Sequence, residues 1–181
     1  MSVGSKQTRL ADINLDVDKT SRPDVLASVL YLPFRSQTFQ EGLFTDVIEH
    51  IPEHTEVQAL KEFRRVLKRG SQLLLSTPNN NALYKLLDPA YYIIGHRHYS
   101  MKEIKSFLED AGFELRSLFS AGGTFALLSV LWYCLLTFPL RKFVPRLRLS
   151  DAPKFIARRE GVEYTHLHAD GGYTVFAIAV A

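Results

Sequence analysis

Two histidines separated by one residue, His96 and His98, form the densest group of chemically active side chains in this sequence. Imidazole nitrogens bind zinc and other transition metals, and Asp88 is the nearest preceding acidic residue. The single cysteine, Cys134, excludes a multi-cysteine metal site. Two histidines alone make a weak metal site, so we expect no metal here. A histidine also serves as a general base, because its pKa lies near neutrality.

A second group of titratable side chains closes and follows a predicted strand over residues 39–48. Asp46 lies at the end of that strand, and Glu49 and His50 begin the turn after it. Two roles are open for the Glu49–His50 pair. We favour a structural role, in which Glu49 holds His50 and the turn, over direct catalysis.

Six segments of the sequence have the patterning of strands. The run at residues 73–77 is apolar over strand length, which is typical of a sheet covered on both faces. The last run is rich in β-branched and aromatic residues. The predicted strands cover residues 10–15, 23–30, 39–48, 73–77, 113–119 and 173–180.

Two amphipathic helices are predicted between these strands. The first begins after Thr55, has apolar residues at spacings of three and four, and ends at Gly70. The second begins with Ser100 and Glu103 in a capping box and ends at Gly112. Strands that alternate with helices predict an α/β fold, with a mostly parallel sheet and helices on its faces.

The composition of the chain excludes several classes of protein. Its 181 residues fit one domain, and 46% hydrophobic with 23% charged residues exclude disorder. A net charge of +3 is too small to indicate a nucleic-acid partner, and none is expected. The polar start lacks the apolar core of a secretory signal, so a cytoplasmic location is predicted.

An ordered series of short motifs runs through most of the chain. They are Leu32-Pro33-Phe34, Phe39, Asp46–Ile51, Ala59–Glu62, Arg65–Gly70, Leu73–Asn79, His98–Ser100 and Leu108–Phe113. This series resembles the class I S-adenosylmethionine-dependent methyltransferases, in particular the small Rossmann-like type that acts on small molecules and lipids. The similarity covers roughly residues 9–119, with the final strand as a further match. It implies a Rossmann-like, mostly parallel sheet with an antiparallel last strand.

The resemblance implies an S-adenosylmethionine site beyond the carboxyl ends of the strands, where open α/β sheets bind ligands. Asp12, placed at the end of the first visible strand, would accept hydrogen bonds from the ribose hydroxyls, or else cap a local loop. Ser28 stands where the family often has an aspartate against the adenine amine, and the Val29 backbone offers the same contact. Asp46 would line the methionine portion, and Gly4 would belong to the glycine-rich loop.

The resemblance also implies an acceptor site that includes the loop after the fifth strand. The residues expected to face the acceptor are His50, Asn79, His96 and His98. Most methyl transfers require little beyond in-line positioning of the acceptor and the methyl carbon. No obligatory catalytic residue is therefore predicted.

The family's first strand and most of its glycine-rich loop have no counterpart in the sequence. Only residues 1–8 are available for them, and these offer Gly4-Ser5-Lys6. Because that strand is normally central, its absence would leave open edges in mid-sheet. Two explanations compete: the chain starts downstream of the true beginning, which we favour, or residues 1–6 or a partner fill the gap.

An apolar and basic insertion at about residues 120–168 interrupts the single domain predicted for residues 1–181. Its 16-residue dense part, 125–140, would form a helix ~24 Å long, short of the ~30 Å hydrocarbon core, so spanning is disfavoured. Two interpretations remain: a buried helix that covers the sheet or forms a homodimer contact, and a membrane-facing lid. Basic residues that suit anionic headgroups follow at once: Arg141, Lys142, Arg146 and Arg148.

The favoured hypothesis is methyl transfer from S-adenosylmethionine to a small-molecule or lipid-like acceptor. The alternative is a non-catalytic methyltransferase-like partner or membrane-associated domain. The missing first strand and Ser28 favour the alternative, whereas the intact later motifs favour the enzyme. A nicotinamide-dependent dehydrogenase is disfavoured, because the sequence lacks the GxGxxG fingerprint.

Overall fold

The computed structural model describes residues 1–4, 10–137 and 152–181. Its strands are β1 (Ser2–Val3), β2 (Asn14–Asp16), β3 (Val25–Leu26), β4 (Phe39–Thr45), β5 (Leu67–Pro78), β6 (Glu114–Ala121) and β7 (Thr174–Val180). Its helices are α1 (Glu56–Val66), α2 (Ala82–Leu87), α3 (Pro89–Ile94), α4 (Met101–Asp110), α5 (Thr124–Trp132) and α6 (Lys154–Glu163). A 3₁₀ turn covers Lys19–Ser21, and a π-helical turn covers Tyr133–Thr137.

The strands form one sheet in the order β3-β2-β1-β4-β5-β7-β6. Neighbours from β3 through β5 run parallel. The last strand is antiparallel to β5, because Gly70 N donates to Ala181 O (2.9 Å) while Asn79 N donates to Tyr173 O (2.8 Å). The predicted Rossmann-like sheet with an antiparallel last strand is confirmed.

A two-residue strand, β1, lies inside the sheet between β2 and β4. Ser2 lies level with Asn14 of β2 and Leu43 of β4, and Val3 continues both ladders. The side chains of Ser2 and Val3 are buried. The first residues of the chain therefore fill the gap in mid-sheet, as in the second of the two explanations, rather than leaving open edges.

Backbone contacts divide the chain into two compact units. Unit 1 comprises residues 1–77, 101–118 and 176–181, and unit 2 comprises residues 78–100 and 119–175. The core of unit 1 includes the rings of Phe44 and Phe63, whose centroids are 4.9 Å apart. The other fully buried large side chains of its core include Leu15, Ile48, Leu60, Leu73, Leu75, Ile104 and Leu108.

The end of α1 differs from the prediction. The helix stops at Val66 rather than Gly70, because Leu67 has an extended backbone (φ −77°, ψ 142°) and pairs with Phe39 of β4. Leu67 is also buried, so the change to a strand places its side chain in the core. Gly70 instead lies within β5, with a left-handed φ of 77°.

In unit 2, a carboxylate from α6 caps the N-terminus of α5. Glu163 accepts backbone hydrogen bonds from Gly123 (2.9 Å), Phe125 (2.9 Å) and Ala126 (3.1 Å). The N-cap position of α5 is Gly123, which has no side chain to do this. The negative charge of Glu163 also suits the positive end of the helix dipole. The cap therefore ties the two helices together.

The apolar insertion is only partly buried. Helix α5 buries Ala126 and Leu127, whereas Leu128 and Leu135 of α5 and the π-helical turn are exposed. None of the helices in the described ranges has the length and apolarity needed to cross a membrane. The basic residues predicted to contact headgroups lie outside the described part of the chain: Arg141, Lys142, Arg146 and Arg148.

Candidate functional site

Three adjacent parallel strands of unit 1 end at a common edge of the sheet. Gly4 follows β1, Asp16 closes β2, and Asp46 follows β4. Because the carboxyl ends of parallel neighbours meet at the same edge, these residues line the place where open α/β sheets bind ligands.

Gly4 has a conformation and surroundings that other residues cannot share. Its φ is 68°, and a Cβ atom at this position would lie 2.3 Å from Cγ2 of Val47. Its N–H donates to Leu15 O of β2 (2.8 Å), which holds the start of the loop against the neighbouring strand. The other two residues of the predicted loop motif, Ser5 and Lys6, lie outside the described residues.

The predicted position of Asp12 is wrong. Strand β2 begins at Asn14, so Asp12 precedes it and lies toward the amino ends of the strands. Burial lowers the pKa of the Met1 amino group, and the negative charges of Asp12 and Glu41 oppose that shift. Asp12 and Asp46 therefore lie at opposite edges of the sheet.

Asp16 is the acidic residue at the carboxyl end of β2. Its side chain is half-buried, and its Oδ1 accepts a hydrogen bond from the N–H of Asp18 (2.9 Å). Within the described ranges, its Oδ2 has no recorded donor. The sequence held a signal for this residue, since the apolar-polar alternation of Ile13-Asn14-Leu15-Asp16 extends beyond the predicted strand end at Leu15.

Asp46 is held at the edge by a neighbouring strand. It is exposed, with a left-handed φ of 54°, and its Oδ1 accepts a hydrogen bond from the Ser76 hydroxyl of β5 (2.9 Å). Three residues on, the buried Glu49 accepts from the Thr77 hydroxyl (3.1 Å). Bonds from two successive β5 residues thus fix the turn that follows β4, which agrees with the structural role favoured for Glu49.

Ser28 and Val29 follow β3 at the same edge. The N–H of Ala27, the residue before Ser28, donates to Asp16 O (3.0 Å). This bond places Ser28 next to the end of β2. The Ser28 hydroxyl oxygen accepts from Leu30 N (3.2 Å), while the Val29 side chain is buried. Ser28 therefore stabilises a local turn beside Asp16 and keeps a hydroxyl proton that can be donated.

The motif Leu32-Pro33-Phe34 is clamped by α1. Arg65 donates to Phe34 O (2.7 Å) and Leu32 O (2.8 Å), and Glu62 accepts from Leu32 N (2.8 Å). Arg65 and Glu62 also pair directly at 2.7 Å. The hydrogen bond from Arg65 lowers the pKa of Glu62. The clamp fixes the segment between β3 and β4.

The residues predicted to face an acceptor divide into two groups. His50 of unit 1 is exposed, and His96 of unit 2 is half-buried. Asn79 and His98 of unit 2 are buried instead. Asn79 Nδ2 donates to Gly172 O (2.9 Å), and the two ring nitrogens of His98 contact Asn79 O (3.0 Å) and Asp88 (2.9 Å). Hydrogen bonds within unit 2 therefore account for the burial of the Asn79 and His98 side chains.

Cys134, in the π-helical turn of unit 2, has a pKa that is shifted by its surroundings. Burial raises the pKa of the Cys134 thiol, and the negative charge of Asp88 raises it further. The sequence separates these two residues by 46 positions, so pattern alone gave no sign of their proximity. Cys134 is consequently a neutral thiol at physiological pH.

Comparison with known proteins bears on this geometry. Residues 6–75 match the family model described as a methyltransferase domain. An uncharacterized protein of Methanocaldococcus jannaschii is 31% identical over 87 residues, which cover 48% of this chain and 37% of that protein. The match thus spans well under half of the relative's length.

Solved structures give the same fold. A Thermotoga maritima protein described as a SAM-dependent methyltransferase and possible histamine N-methyltransferase aligns at 17% identity, with a TM-score of 0.66, over 99% of this chain and 80% of that chain. A SAM-dependent methyltransferase from Archaeoglobus fulgidus aligns at 15% identity, with a TM-score of 0.62, over 99% and 84%. The fold that the sequence resemblance implies is confirmed.

Proposed function

We propose that this chain, which has the fold of the class I S-adenosylmethionine-dependent methyltransferases, transfers a methyl group from S-adenosylmethionine to a small-molecule or lipid-like acceptor. One observation carries the proposal. A glycine without room for a side chain and two carboxylates, Asp16 and Asp46, follow three adjacent parallel strands at one edge.

The residues at this edge fit the methyl donor. Gly4 lets the backbone after β1 turn in a left-handed conformation, so a ligand can approach without meeting a side chain. Asp16 would accept hydrogen bonds from the ribose hydroxyls, a role that the sequence assigned to Asp12. Its carboxylate offers Oδ2 for this, while Oδ1 is held by Asp18 N–H.

The remaining contacts follow from neighbouring positions. Ser28 and the backbone of Val29 lie beside Asp16 and would contact the adenine. Asp46 would contact the methionine portion, whose ammonium group suits a carboxylate. Bound S-adenosylmethionine supplies an electrophilic methyl group on a sulfonium sulfur. The protein's part is then to hold donor and acceptor in line.

Two of the residues predicted to face the acceptor remain candidates, each within its own unit: the side chain of His50 is exposed in unit 1, and that of His96 is half-buried in unit 2. Asn79 and His98 would support the acceptor site indirectly, through the internal bonds described above. A lipid-like acceptor is supported by exposed apolar side chains in the insertion, among them Leu128, Leu135 and Phe155. The basic residues that follow in the sequence, at 141–148, suit contact with an anionic surface.

The proposal is tested with S-adenosylmethionine that carries a tritiated methyl group. The full chain is incubated with a cell extract, unreacted S-adenosylmethionine is removed by adsorption on charcoal, and the remaining label is counted in the organic and aqueous phases. We expect label in the organic phase, reduced at least tenfold by Asp16→Asn, because a hydrogen bond to a charged group contributes about 1.5–3 kcal/mol. Label in the aqueous phase alone would redirect the acceptor to polar small molecules.

A binding measurement separates the enzyme from the non-catalytic alternative. Calorimetry with unlabelled S-adenosylmethionine reports the donor site alone. Binding without transfer into either phase would favour a methyltransferase-like partner subunit. Absence of both binding and transfer would overturn the proposal.

A further inference from the structure

The imidazole rings of two histidines in unit 2 contact one buried carboxylate oxygen atom. Asp88 is fully buried, and its Oδ2 lies 2.9 Å from Nε2 of His98 and 3.2 Å from Nδ1 of His96. The three ligand atoms all lie within 4.8 Å of one another. The imidazole rings stand nearly perpendicular, at 84°, with centroids 5.9 Å apart. We call Asp88, His96 and His98 the imidazole cluster.

The bonding of His98 fixes the chemistry of the cluster. Its Nδ1 lies 3.0 Å from Asn79 O, and a carbonyl oxygen only accepts, so Nδ1 carries a proton. The other ring nitrogen, Nε2, lies 2.9 Å from the carboxylate oxygen of Asp88. Because that carboxylate is fully buried and also lies 3.2 Å from Nδ1 of His96, its oxygen and the two ring nitrogens are placed together as a donor set for a cation.

The arrangement around His98 is that of a metal ligand with its supporting shell. Ligating histidines commonly donate their other N–H to a backbone carbonyl, as His98 does to Asn79. Asn79 is anchored in turn, because its amide donates to Gly172 O (2.9 Å). The His98 ring is further packed by Tyr91, with centroids 6.0 Å apart. The orientation of Nε2 toward Asp88 is thus fixed by the fold of unit 2.

The spacing within the cluster is compatible with a divalent transition metal. Zinc binds nitrogen and carboxylate oxygen at about 2.0–2.1 Å, so ligand atoms around a tetrahedral ion lie about 3.3 Å apart. The 2.9 and 3.2 Å separations require outward movement of a few tenths of an ångström. The His96 side chain is 15% exposed, which gives an ion a route from solvent.

We propose that Asp88, His96 and His98 bind a divalent first-row transition metal such as Zn²⁺. In the sequence, two histidines with an acidic residue eight positions before the first of them are only a weak metal pattern. The structure adds the burial of the carboxylate, the contact of both rings with one oxygen and the fixed orientation of Nε2. Two imidazoles with one carboxylate are a ligand set that suits zinc and Fe²⁺. The site does not depend on the proposed methyl transfer.

The test uses the full chain without an affinity tag, stripped with a chelator and then titrated with Zn²⁺ in a calorimeter. We expect one equivalent to bind and the melting temperature to rise with Zn²⁺ concentration. His96→Gln, the substitution at the most exposed ligand, should weaken binding at least tenfold while the chain stays folded. Co²⁺ should bind competitively and give a visible absorption that His96→Gln alters.

A matched control is His166→Gln, which removes an exposed imidazole elsewhere in unit 2. It should leave the affinity for Zn²⁺ unchanged. The proposal is overturned if the stripped chain binds no Zn²⁺. It is also overturned if His96→Gln, shown to be folded by circular dichroism, binds as tightly as the unaltered chain.

Discussion

The hydroxyl of Ser76 donates a 2.9 Å hydrogen bond to Oδ1 of Asp46 and thereby joins β5 to the residue that follows β4. Asp46 has a φ of 54°, a conformation that costs a non-glycine residue roughly 1–2 kcal/mol. The bond to Ser76 helps to offset that cost. The carboxylate of Asp46 is consequently held at the carboxyl edge, where the methyl donor is proposed to bind.

Ser76→Ala removes this bond and should weaken S-adenosylmethionine binding by roughly three- to tenfold, because a hydrogen bond contributes about 0.5–1.5 kcal/mol. Calorimetry measures the change. Ser71→Ala is the matched control, since Ser71 lies on the same strand at the opposite edge and its hydroxyl makes only a 3.4 Å contact to Phe39 O. Equal losses in both variants would contradict a local role for Ser76.

Gly4→Ala should both destabilise the protein and abolish donor binding. The added Cβ would be 2.3 Å from Val47, at a φ of 68° that disfavours any side chain. Together these effects should lower the free energy of unfolding by at least about 2 kcal/mol. Chemical denaturation measures the loss. Gly161→Ala is the control, because a Cβ there meets nothing within 4 Å and α6 should gain helix propensity. A Gly4→Ala variant as stable as Gly161→Ala would refute the steric account.

Helices α1 and α4 and the long strands were predictable because their signals are repeated. The stripes of α1 and α4 recur over several turns, and their central residues, Leu60 and Ile104, are fully buried as that pattern requires. The apolar run of β5 likewise favours a strand over any other element. The repeated spacing of apolar residues makes such elements predictable from a single sequence.

The short elements and the exact site residues were not predictable for the same reason. β1 has two residues, too few for any periodicity, and only pairing with β2 and β4 defines it. Strand β2 begins a few residues later than predicted, so the acidic residue at its carboxyl end is Asp16 rather than Asp12. The predicted end of α1 at Gly70 was wrong, because the burial of Leu67 outweighed the preference of glycine for helix ends. The convergence of Asp88, His96 and His98 depends on tertiary structure alone.

The clamp on the Leu32–Phe34 segment predicts acid sensitivity. The hydrogen bond from Arg65 lowers the pKa of Glu62 below its ordinary value of 4.5. A lowered carboxyl pKa contributes stability that is present above the unfolded value and is lost as pH falls through the folded value. The free energies of unfolding in urea of the unaltered chain and of Glu62→Gln should therefore differ by about 1 kcal/mol at pH 7, and the difference should disappear as the pH falls through the folded-state pKa of Glu62. A difference that persists at low pH would contradict the role of the charge.

Glu163→Gln tests the cap on α5. The amide retains one acceptor oxygen but loses the negative charge at the helix N-terminus, so the free energy of unfolding should fall by about 1 kcal/mol. Glu163 also raises the pKa of Tyr84, after the larger effect of burial, so this substitution should lower that pKa. Thermal unfolding and ultraviolet titration measure the two effects. Glu114→Gln, on the exposed side of β6, should change neither.

The central claim is that the methyl donor binds at the carboxyl edge of β1, β2 and β4, with Asp16 on the ribose. The most direct measurement is the S-adenosylmethionine affinity of Asp16→Asn beside that of Asp12→Asn, two identical chemical changes at opposite edges of the sheet. The account predicts a loss of at least tenfold for Asp16→Asn and no change for Asp12→Asn. A loss confined to Asp12→Asn, or an unaltered chain that binds no S-adenosylmethionine, would contradict it.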